Sequence, residues 1–292
     1  MVTNSGSDKV FNIIVDILLA IFALLILLPL VHVLSSSFSS PESVYRGEVL
    51  LLPKDISLRC YELVLKRADI WVGYRNTILY TVLGTLIAVS VQMMAGFALS
   101  RRDLPLRPAV NIIFILTMFV SGGMIPTYLV VKGLGLLNTM WAVILPGCIS
   151  AYNIIIVRTF IHSSLPFELQ EAAMIDGCGN LKMFFLIVFP LCMPIVAVMT
   201  LYAIVGYWNS YFNALIYITD SDKYTLQLVL QNILMQNETG TSGGTISGGE
   251  QALLSQALKY STIVVSSLPI LIMYPFFEKY FEKGMIVGSL KG

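Results

Sequence analysis

Long uncharged stretches alternate with short polar segments along the whole chain. Such stretches are typical of membrane-spanning helices, because about 20 apolar residues rising ~1.5 Å each cross a hydrocarbon core of about 30 Å. The pattern therefore predicts an all-α integral membrane protein with six transmembrane helices. The predicted spans are residues 13–34, 77–99, 109–131, 140–157, 184–207 and 261–277.

Glycine and proline interrupt three of these predicted spans. Proline removes a backbone donor and bends a helix, and a membrane tolerates the break where neighbouring helices or water satisfy the freed carbonyls. Two interpretations stay open, a kink that serves packing and a hinge or pathway lining. The interrupting residues are Gly122, Gly123 and Pro126 in the third span, Pro146 and Gly147 in the fourth, and Pro190 and Pro194 in the fifth.

Composition supports a membrane location and argues against other classes. Of the 292 residues, 57% are hydrophobic and 12% are charged, against about 25% charged in soluble domains. The net charge of +1 gives no basic excess that would suggest nucleic-acid binding. Asp16 is the one residue of the types Asp, Glu, Lys and Arg inside the six predicted spans, and it lies one turn from a span end. We interpret it as an interfacial anchor, with a functional carboxylate as the alternative.

The first span is predicted to be retained, and both termini are predicted to be cytoplasmic. Residues 13–34 exceed the apolar region of a signal peptide, which is about 7–15 residues, and no A-x-A-like site follows. Six spans place both termini on one side. Arg101, Arg102 and Arg107 crowd the second-to-third connection, whereas the third-to-fourth has only Lys132. Because positive residues concentrate in cytoplasmic loops, the termini are expected to face the cytoplasm.

The segments that follow the first and fifth spans are predicted to be extracytoplasmic. Residues 35–76 form an extended cap, and residues 208–260 begin with a short aromatic stretch at the membrane interface. Apolar residues from Leu226 to Leu234 recur at helical spacing and predict an amphipathic helix. Residues 247–250 match a capping box that opens a final helix, which extends the short sixth span upstream.

The chain lacks the sequence signatures of catalysis and of metal binding. Its four cysteines form no CxxC pair, and there are two histidines, so we expect neither a metal site nor a disulfide. There is no phosphate-binding loop, and Gly177-Cys178-Gly179 lacks the third glycine of a dinucleotide fingerprint. We therefore predict a polypeptide that is not an enzyme and holds no cofactor.

A polar block lies directly before the fifth span, whose uncharged stretch continues to Thr219. Pro166 suits the first turn of a helix, early acidic residues favour the helix dipole, and Gly177 is a natural terminator. The block therefore predicts a short helix over residues 166–176, on the cytoplasmic side. Its charges and small alanines suit contact with a second protein; an ordinary amphipathic loop helix is the alternative.

This block resembles the EAA loop of ABC importer permeases. Glu171-Ala172-Ala173 is followed after three residues by Gly177, and after nine more by Ile187 and then Pro190; Phe189 stands where the pattern has Leu. Residues 117–128 and 207–212 also resemble the carbohydrate-uptake branch of that family, in particular permeases for oligosaccharides or polysaccharide fragments. The similarity extends over nearly the whole chain.

The resemblance implies a type I importer fold in a bacterial cytoplasmic membrane. It implies a second permease subunit, two ATPase subunits that bind ATP and Mg²⁺, and an extracytoplasmic binding protein that delivers the sugar. ATP binding in the partners would draw the coupling helices together and turn the cavity outward, by alternating access. The residues carried over to the ATPase-coupling surface are Glu171, Ala172, Ala173, Asp176 and Gly177.

The resemblance also divides the chain into three parts. Residues 1–72 hold the tail, the first span and the outer segment. Residues 73–281 form a permease core with five spans and the coupling helix, at about 166–178, and residues 282–292 form a cytoplasmic tail.

Sugars bind to aromatic faces and to amide or hydroxyl groups, and several such residues lie in the later spans. Aromatic residues at membrane interfaces and asparagines that bond between helices are the alternative explanation. The candidates for the substrate pathway are Tyr128, Tyr152, Asn153, Trp208, Asn209, Tyr211 and Asn213.

Two competing functions stay open from the sequence. An ion-gradient-driven secondary transporter would need ionisable residues in its spans, and the predicted second to sixth spans hold no Asp, Glu, Lys or Arg. An ABC importer permease for amino acids, peptides or ions is the other alternative.

Overall fold

The computed structural model describes residues 6–238 and 248–289. Regular structure in these residues is helical, and Ser39 and Ile56 form an isolated β-bridge. The helices are α1 (Gly6–Ser37), α2 (Pro41–Tyr45), α3 (Arg59–Leu65), α4 (Ala68–Ser100), α5 (Arg107–Phe119), α6 (Met124–Gly133), α7 (Met140–Ile144), α8 (Ala151–Ser164), α9 (Phe167–Ile175), α10 (Asn180–Met183), α11 (Phe189–Leu191), α12 (Met193–Trp208), α13 (Phe212–Tyr217), α14 (Leu226–Glu238) and α15 (Gly248–Ser289).

Six candidate spans match the six that the sequence predicts. Three are single helices, Lys9–Ser37, Ala68–Ser100 and Leu253–Met273. Three are bent pairs, and each bend falls where glycine or proline interrupts the apolar pattern. The bends are 114° between Arg107–Phe119 and Met124–Gly133, 49° between Met140–Gly147 and Ala151–Ser164, and 86° between Asn180–Leu191 and Met193–Trp208.

Helix α4 forms the second span as one uninterrupted helix of 33 residues without proline. Glycines let neighbouring segments approach it closely. A Cβ atom on Gly96 would lie 2.4 Å from Val157 Cγ1, and one on Gly84 would lie 2.7 Å from the Tyr207 ring. These distances are below van der Waals contact, so the packing of α4 requires glycine at both positions.

The fifth span is broken by its prolines. Pro190 has no N–H to donate to the carbonyl four residues earlier, and the preceding turn, Phe184–Val188, is a π-helix. The chain then bends at Cys192, whose φ and ψ of −95° and 16° are not helical. Pro194 follows in the first turn of α12, where a missing N–H costs nothing.

The third span breaks between Phe119 and Met124. Val120 is extended, and Gly123 has a φ of 84°, which favours glycine. The Thr127 hydroxyl donates a hydrogen bond of 2.8 Å to the Gly123 carbonyl and so holds the start of α6.

The structure extends the predicted helices at their ends. The predicted fourth span ends at residue 157, but α8 continues to Ser164, so Arg158 lies within the bent pair. The sequence prediction ended that span where the first charge appears, whereas the backbone continues the helix beyond it. The predicted upstream extension of the sixth span is confirmed, because α15 begins at Gly248. Ser247, the first residue of the predicted capping box, lies outside the described residues.

The chain folds as two compact units, Met1–Ile70 with Leu230–Leu268, and Trp71–Val229 with Pro269–Gly292. In the first unit, Val44, Val49, Cys60 and Ala257 form a small core. In the second, residues of α4, α8, α9, α10 and α12 share a core; its members include Met93, Val157, Ala173, Met183 and Met199. The three-part division drawn from the resemblance stays a prediction.

Candidate functional site

Helix α9 presents one face to the protein and the opposite face to solvent. The predicted range was 166–176; Pro166 instead precedes the first turn, and α9 runs from Phe167 to Ile175. Gln170 and Ala173 are buried at 7% exposure, which fixes the inner face. The outer face consists of Glu168, Leu169, Glu171, Ala172, Ile175 and Asp176.

The end of α9 is closed by a pair of backbone hydrogen bonds around a left-handed glycine. Gly177 has a φ of 72°, its N–H donates to the Met174 carbonyl at 3.0 Å, and the Cys178 N–H donates to the Ala173 carbonyl at 2.9 Å. This is a Schellman cap, in which glycine is strongly favoured. The cap turns the chain towards α10 and leaves Asp176 exposed at the end of the helix.

Of the five predicted coupling residues, four are exposed and one is not. Glu171, Ala172, Asp176 and Gly177 are exposed, whereas Ala173 packs into the core of the second unit. A small residue at 173 lets α9 lie close to that core. The sequence motif does not distinguish a residue that contacts a partner from one that packs the helix against the rest of the protein. Ile175 lies outside the predicted set, and its side chain is 86% exposed on the same outer face.

Two arginines after α4 contact the two ends of α9. The Arg102 guanidinium carbon lies 4.3 Å from the centroid of the Phe167 ring, in the first turn of α9. Arg101 Nη2 lies 3.3 Å from Met174 Sδ in the last turn, and Arg101 Nη1 lies 3.4 Å from Met183 Sδ in α10. The sequence analysis used these arginines only as an excess of positive charge in one loop. Their positions in that loop do not predict which side chains they contact.

Asp103 holds Arg101 in place. Arg101 Nε and Nη2 donate hydrogen bonds of 2.7 and 2.6 Å to the two carboxylate oxygens of Asp103. The Arg101 side chain is 8% exposed and that of Asp103 is 61% exposed. Hydrogen bonding and the charge of Arg101 lower the pKa of the Asp103 carboxyl below its usual value, so the pair is ionised at neutral pH.

A cavity of about 320 Å³ lies against the first turns of α9. Polar groups form much of its wall, among them Ser100, Arg102, His162, Glu168 and Gln170. The cavity therefore lies where the end of α4, the end of α8 and the start of α9 meet.

A second cavity, of about 190 Å³, lies among the spans. It brings together Asn153 and Asn213, two of the predicted pathway residues. Four polar residues that the sequence analysis missed line it with them, Gln92, Tyr202, Tyr207 and Ser210. Gln92 is the one amide residue between positions 77 and 99, a signal that would have found it.

The cavity wall combines fixed and free hydrogen-bonding groups. Gln92 Nε2 donates to the Cys148 carbonyl at 3.0 Å, and the Tyr207 hydroxyl donates to the Ile144 carbonyl at 3.0 Å. The Cys148 carbonyl lies at the break in the fourth span, and the Ile144 carbonyl lies at the end of α7, shortly before that break. Ser210 Oγ is buried without a hydrogen-bond partner among the described residues. Amide and hydroxyl groups beside aromatic rings are the surface that a sugar recognises.

The other five pathway candidates lie elsewhere. Tyr128 stacks on Tyr217 with ring centroids 6.2 Å apart. Tyr152 is exposed, and Asn209 Nδ2 donates to the carbonyl of Val205. Trp208 is 3% exposed, and its ring centroid lies 6.3 Å from that of Tyr74. Tyr211 packs on a buried cluster that includes Tyr80. None of these five lines the described cavity, and their part in a substrate path stays a prediction.

The comparisons with known proteins agree on one family. Residues 1–287 match the model of the binding-protein-dependent transport system inner membrane component. The chain is 38% identical over 98% of its length to the polygalacturonan/rhamnogalacturonan transport system permease protein YtcP of Bacillus subtilis, of which it covers 99%. It is 37% identical over 99% of its length to Protein LplC of the same organism, of which it covers 97%.

A solved structure has the same fold. A chain in the crystal structure of a bacterial ABC transporter involved in the import of the acidic polysaccharide alginate superposes with a TM-score of 0.84 at 32% identity. The match covers 96% of this chain and all of the other one.

Proposed function

The chain belongs to the family of binding-protein-dependent transport system inner membrane components, and from that premise we propose that it is the permease subunit of an ATP-driven importer for oligosaccharides or polysaccharide fragments. The relatives named above support a carbohydrate as the imported solute. YtcP is a permease for polygalacturonan and rhamnogalacturonan, and the superposed structure comes from an alginate importer. The chain is a non-catalytic transport component, and it binds no cofactor of its own.

The observation that carries the proposal is the exposed face of α9. Glu171, Ala172 and Ile175 form a short surface with charge at its edge and small or apolar side chains at its centre. A charged, partly apolar surface on a capped helix suits the cleft of a second protein. We assign this face as the docking site for an ATPase subunit on the cytoplasmic side.

The complete importer contains a second permease, two ATPases that bind ATP and Mg²⁺, and an extracytoplasmic binding protein. The charge of Arg101, Arg102 and Arg107 supports a cytoplasmic location for the α4–α5 connection and for both termini in a bacterial cell. ATP binding then brings the two docking helices together, and the cavity of Gln92, Asn153 and Asn213 changes its access between the two sides of the membrane.

A secondary transporter is disfavoured by the family, and so the remaining alternative is a different imported solute. The amide and hydroxyl groups that line the described cavity suit contact with the hydroxyl groups of a sugar. Screening the cognate binding protein against oligogalacturonides, alginate oligosaccharides, raffinose, amino acids and peptides identifies the solute.

The docking role is tested by charge reversal at Glu171. In proteoliposomes, we expect Glu171→Arg to lower binding-protein-stimulated ATP hydrolysis by about tenfold or more, because a like-charge contact at an interface costs several kcal/mol. Glu62→Arg is the matched control, since Glu62 is an exposed glutamate on α3. Equal hydrolysis in both variants would refute the docking role.

A further inference from the structure

Resting on the proposed function, the contacts of Arg101 and Arg102 point to a route from the docking helix to the cavity. We propose that the two arginines are positioning residues that transmit the movement of α9 to α4, and through α4 to the cavity wall at Gln92.

The chain itself does not connect α9 to α4. Helix α9 follows α8 and precedes α10, so its movement reaches the fourth and fifth spans through the backbone. Helix α4 ends at Ser100, far away in sequence, and receives movement through side-chain contacts. Arg102 supplies one contact at the first turn of α9, and Arg101 supplies another at its last turn. Contacts at both ends transmit a tilt of α9 as well as a shift.

Arg101 is built into the junction of three segments. Its side chain is 8% exposed and touches Met174 of α9, Met183 of α10 and its own carboxylate partner, Asp103. Taking a guanidinium out of water is costly unless it is paired, and the two-point hydrogen bond to Asp103 meets that cost. Lysine carries the charge as a point and lacks the planar fork, so it would not reproduce these contacts.

Helix α4 is suited to carry the movement onward. It has no proline and no break, and at ~1.5 Å per residue Gln92 lies about 12 Å from Ser100 along the axis. A displacement of its cytoplasmic end therefore reaches Ala88 and Gln92, which both line the cavity. Gln92 in turn donates to the carbonyl at the break of the fourth span, so the wall moves with α4.

A purely electrostatic role makes a different prediction. If the arginines served only to orient the protein in the membrane by their charge, lysine at either position would be equivalent. The contact geometry predicts that it is not equivalent at position 101.

A cavity reporter measures the transmission without knowledge of the sugar. Gly206 lines the cavity, and a Cβ atom added to it would have no heavy atom within 4 Å, so Gly206→Cys places a thiol there at low cost. The importer, purified with its ATPases and reconstituted, is labelled with a water-soluble maleimide. Labelling rates are compared without nucleotide and after trapping with ATP, Mg²⁺ and vanadate. The same complex without the Gly206→Cys change corrects for the native cysteines.

The test uses variants of both contacts in the reporter background. We expect Arg102→Ala and Phe167→Leu each to reduce the nucleotide-dependent change in labelling rate by about threefold, as loss of a cation–π contact implies. The double variant should be no worse than either one, because both remove the same contact. Arg101→Lys should reduce the change by about tenfold with the ATPases still bound. Arg46→Lys, at an exposed arginine of the outer segment, is the control.

The outcomes separate this inference from the proposed function. A nucleotide response that is normal in Arg101→Lys, Arg102→Ala and Phe167→Leu overturns the transmission route, and so does release of the ATPases from these variants. Independent, multiplying effects of Arg102→Ala and Phe167→Leu also contradict it. If the importer that carries Gly206→Cys as its only change shows no response to nucleotide at all, the proposed function fails instead.

Discussion

The second and fifth spans line the same cavity but are built in opposite ways. Helix α4 is uninterrupted, free of proline and packed through glycines at Gly84 and Gly96. The fifth span contains a π-helical turn, two prolines and a bend of 86°. The contrast indicates a division of roles, in which the second span moves as a rigid helix and the fifth span changes shape at its proline break. Substitutions in each span test this division.

The largest effect is expected from enlarging a glycine of α4. Gly96→Ala places a methyl group 2.4 Å from Val157 Cγ1, and we expect a loss of about 1–3 kcal/mol in the free energy of unfolding. Gly133→Ala is the matched control, since nothing lies within 4 Å of its added carbon. It should be neutral or stabilising by up to about 1 kcal/mol. Thermal unfolding in detergent compares the two, and equal midpoints would show that α4 is not closely packed.

A smaller effect is expected from removing the proline break of the fifth span. Pro190→Ala restores a backbone donor, which lets the π-helical turn close into regular helix, so the nucleotide response of the cavity reporter should fall several-fold while the protein stays folded. Pro29→Ala is the control, because Pro29 lies inside the continuous helix α1. An unchanged response in Pro190→Ala would favour the interpretation of this break as a packing kink.

A still smaller effect is expected in the cavity wall. Gln92→Leu leaves the Cys148 carbonyl without its donor, and we expect about 1 kcal/mol of lost stability together with slower sugar uptake. Ser90→Ala, at an exposed position on α4, should change neither quantity. The rate of sugar uptake into proteoliposomes measures the effect. A wild-type rate in Gln92→Leu would exclude Gln92 from the substrate path.

The smallest effect concerns pH. The pKa of Asp103 is lowered in the folded protein, so the stabilisation from its pair with Arg101 is present above the usual carboxyl pKa and is lost as the pH falls through the lowered value. We therefore expect the stability difference between the wild type and Asp103→Asn to be constant from about pH 5 to pH 8 and to shrink below about pH 4. Unfolding curves at several pH values measure it, and a difference that changes between about pH 6 and pH 8 would contradict the assignment.

The sequence predicted the helices better than it predicted their contacts. Apolar length located all six spans, and the three bends fall at Gly123, Pro146 and Pro190, which act on the backbone locally. The motif located α9 and its cap at Gly177 for the same reason. Proline alone does not fix a bend, because Pro29 and Pro269 lie inside continuous helices. Local chemistry does not carry information about which residues meet across the fold. The Arg102–Phe167 contact and the meeting of Gln92 with Asn153 therefore required the structure.

The same limit explains why the predicted site residues lie in different environments, some buried and some exposed. Ala173 belongs to a motif, and its burial depends on how α9 lies against other helices. Trp208 has the chemistry of a sugar contact, but its ring is buried beside Tyr74. The motif indicated Ala173 and residue type indicated Trp208, and packing separates both from exposed neighbours such as Ala172 and Asn209.

Site-specific photo-crosslinking at Ile175 tests the central claim most directly, namely that the outer face of α9 docks on an ATPase. A photoreactive amino acid replaces Ile175, and in a matched variant it replaces Leu134, an exposed residue on the connection predicted to face the outside. In intact membranes we expect a crosslink to the ATPase from position 175 and none from position 134. No ATPase crosslink from position 175, or one from position 134, would contradict the docking of α9 on the ATPase.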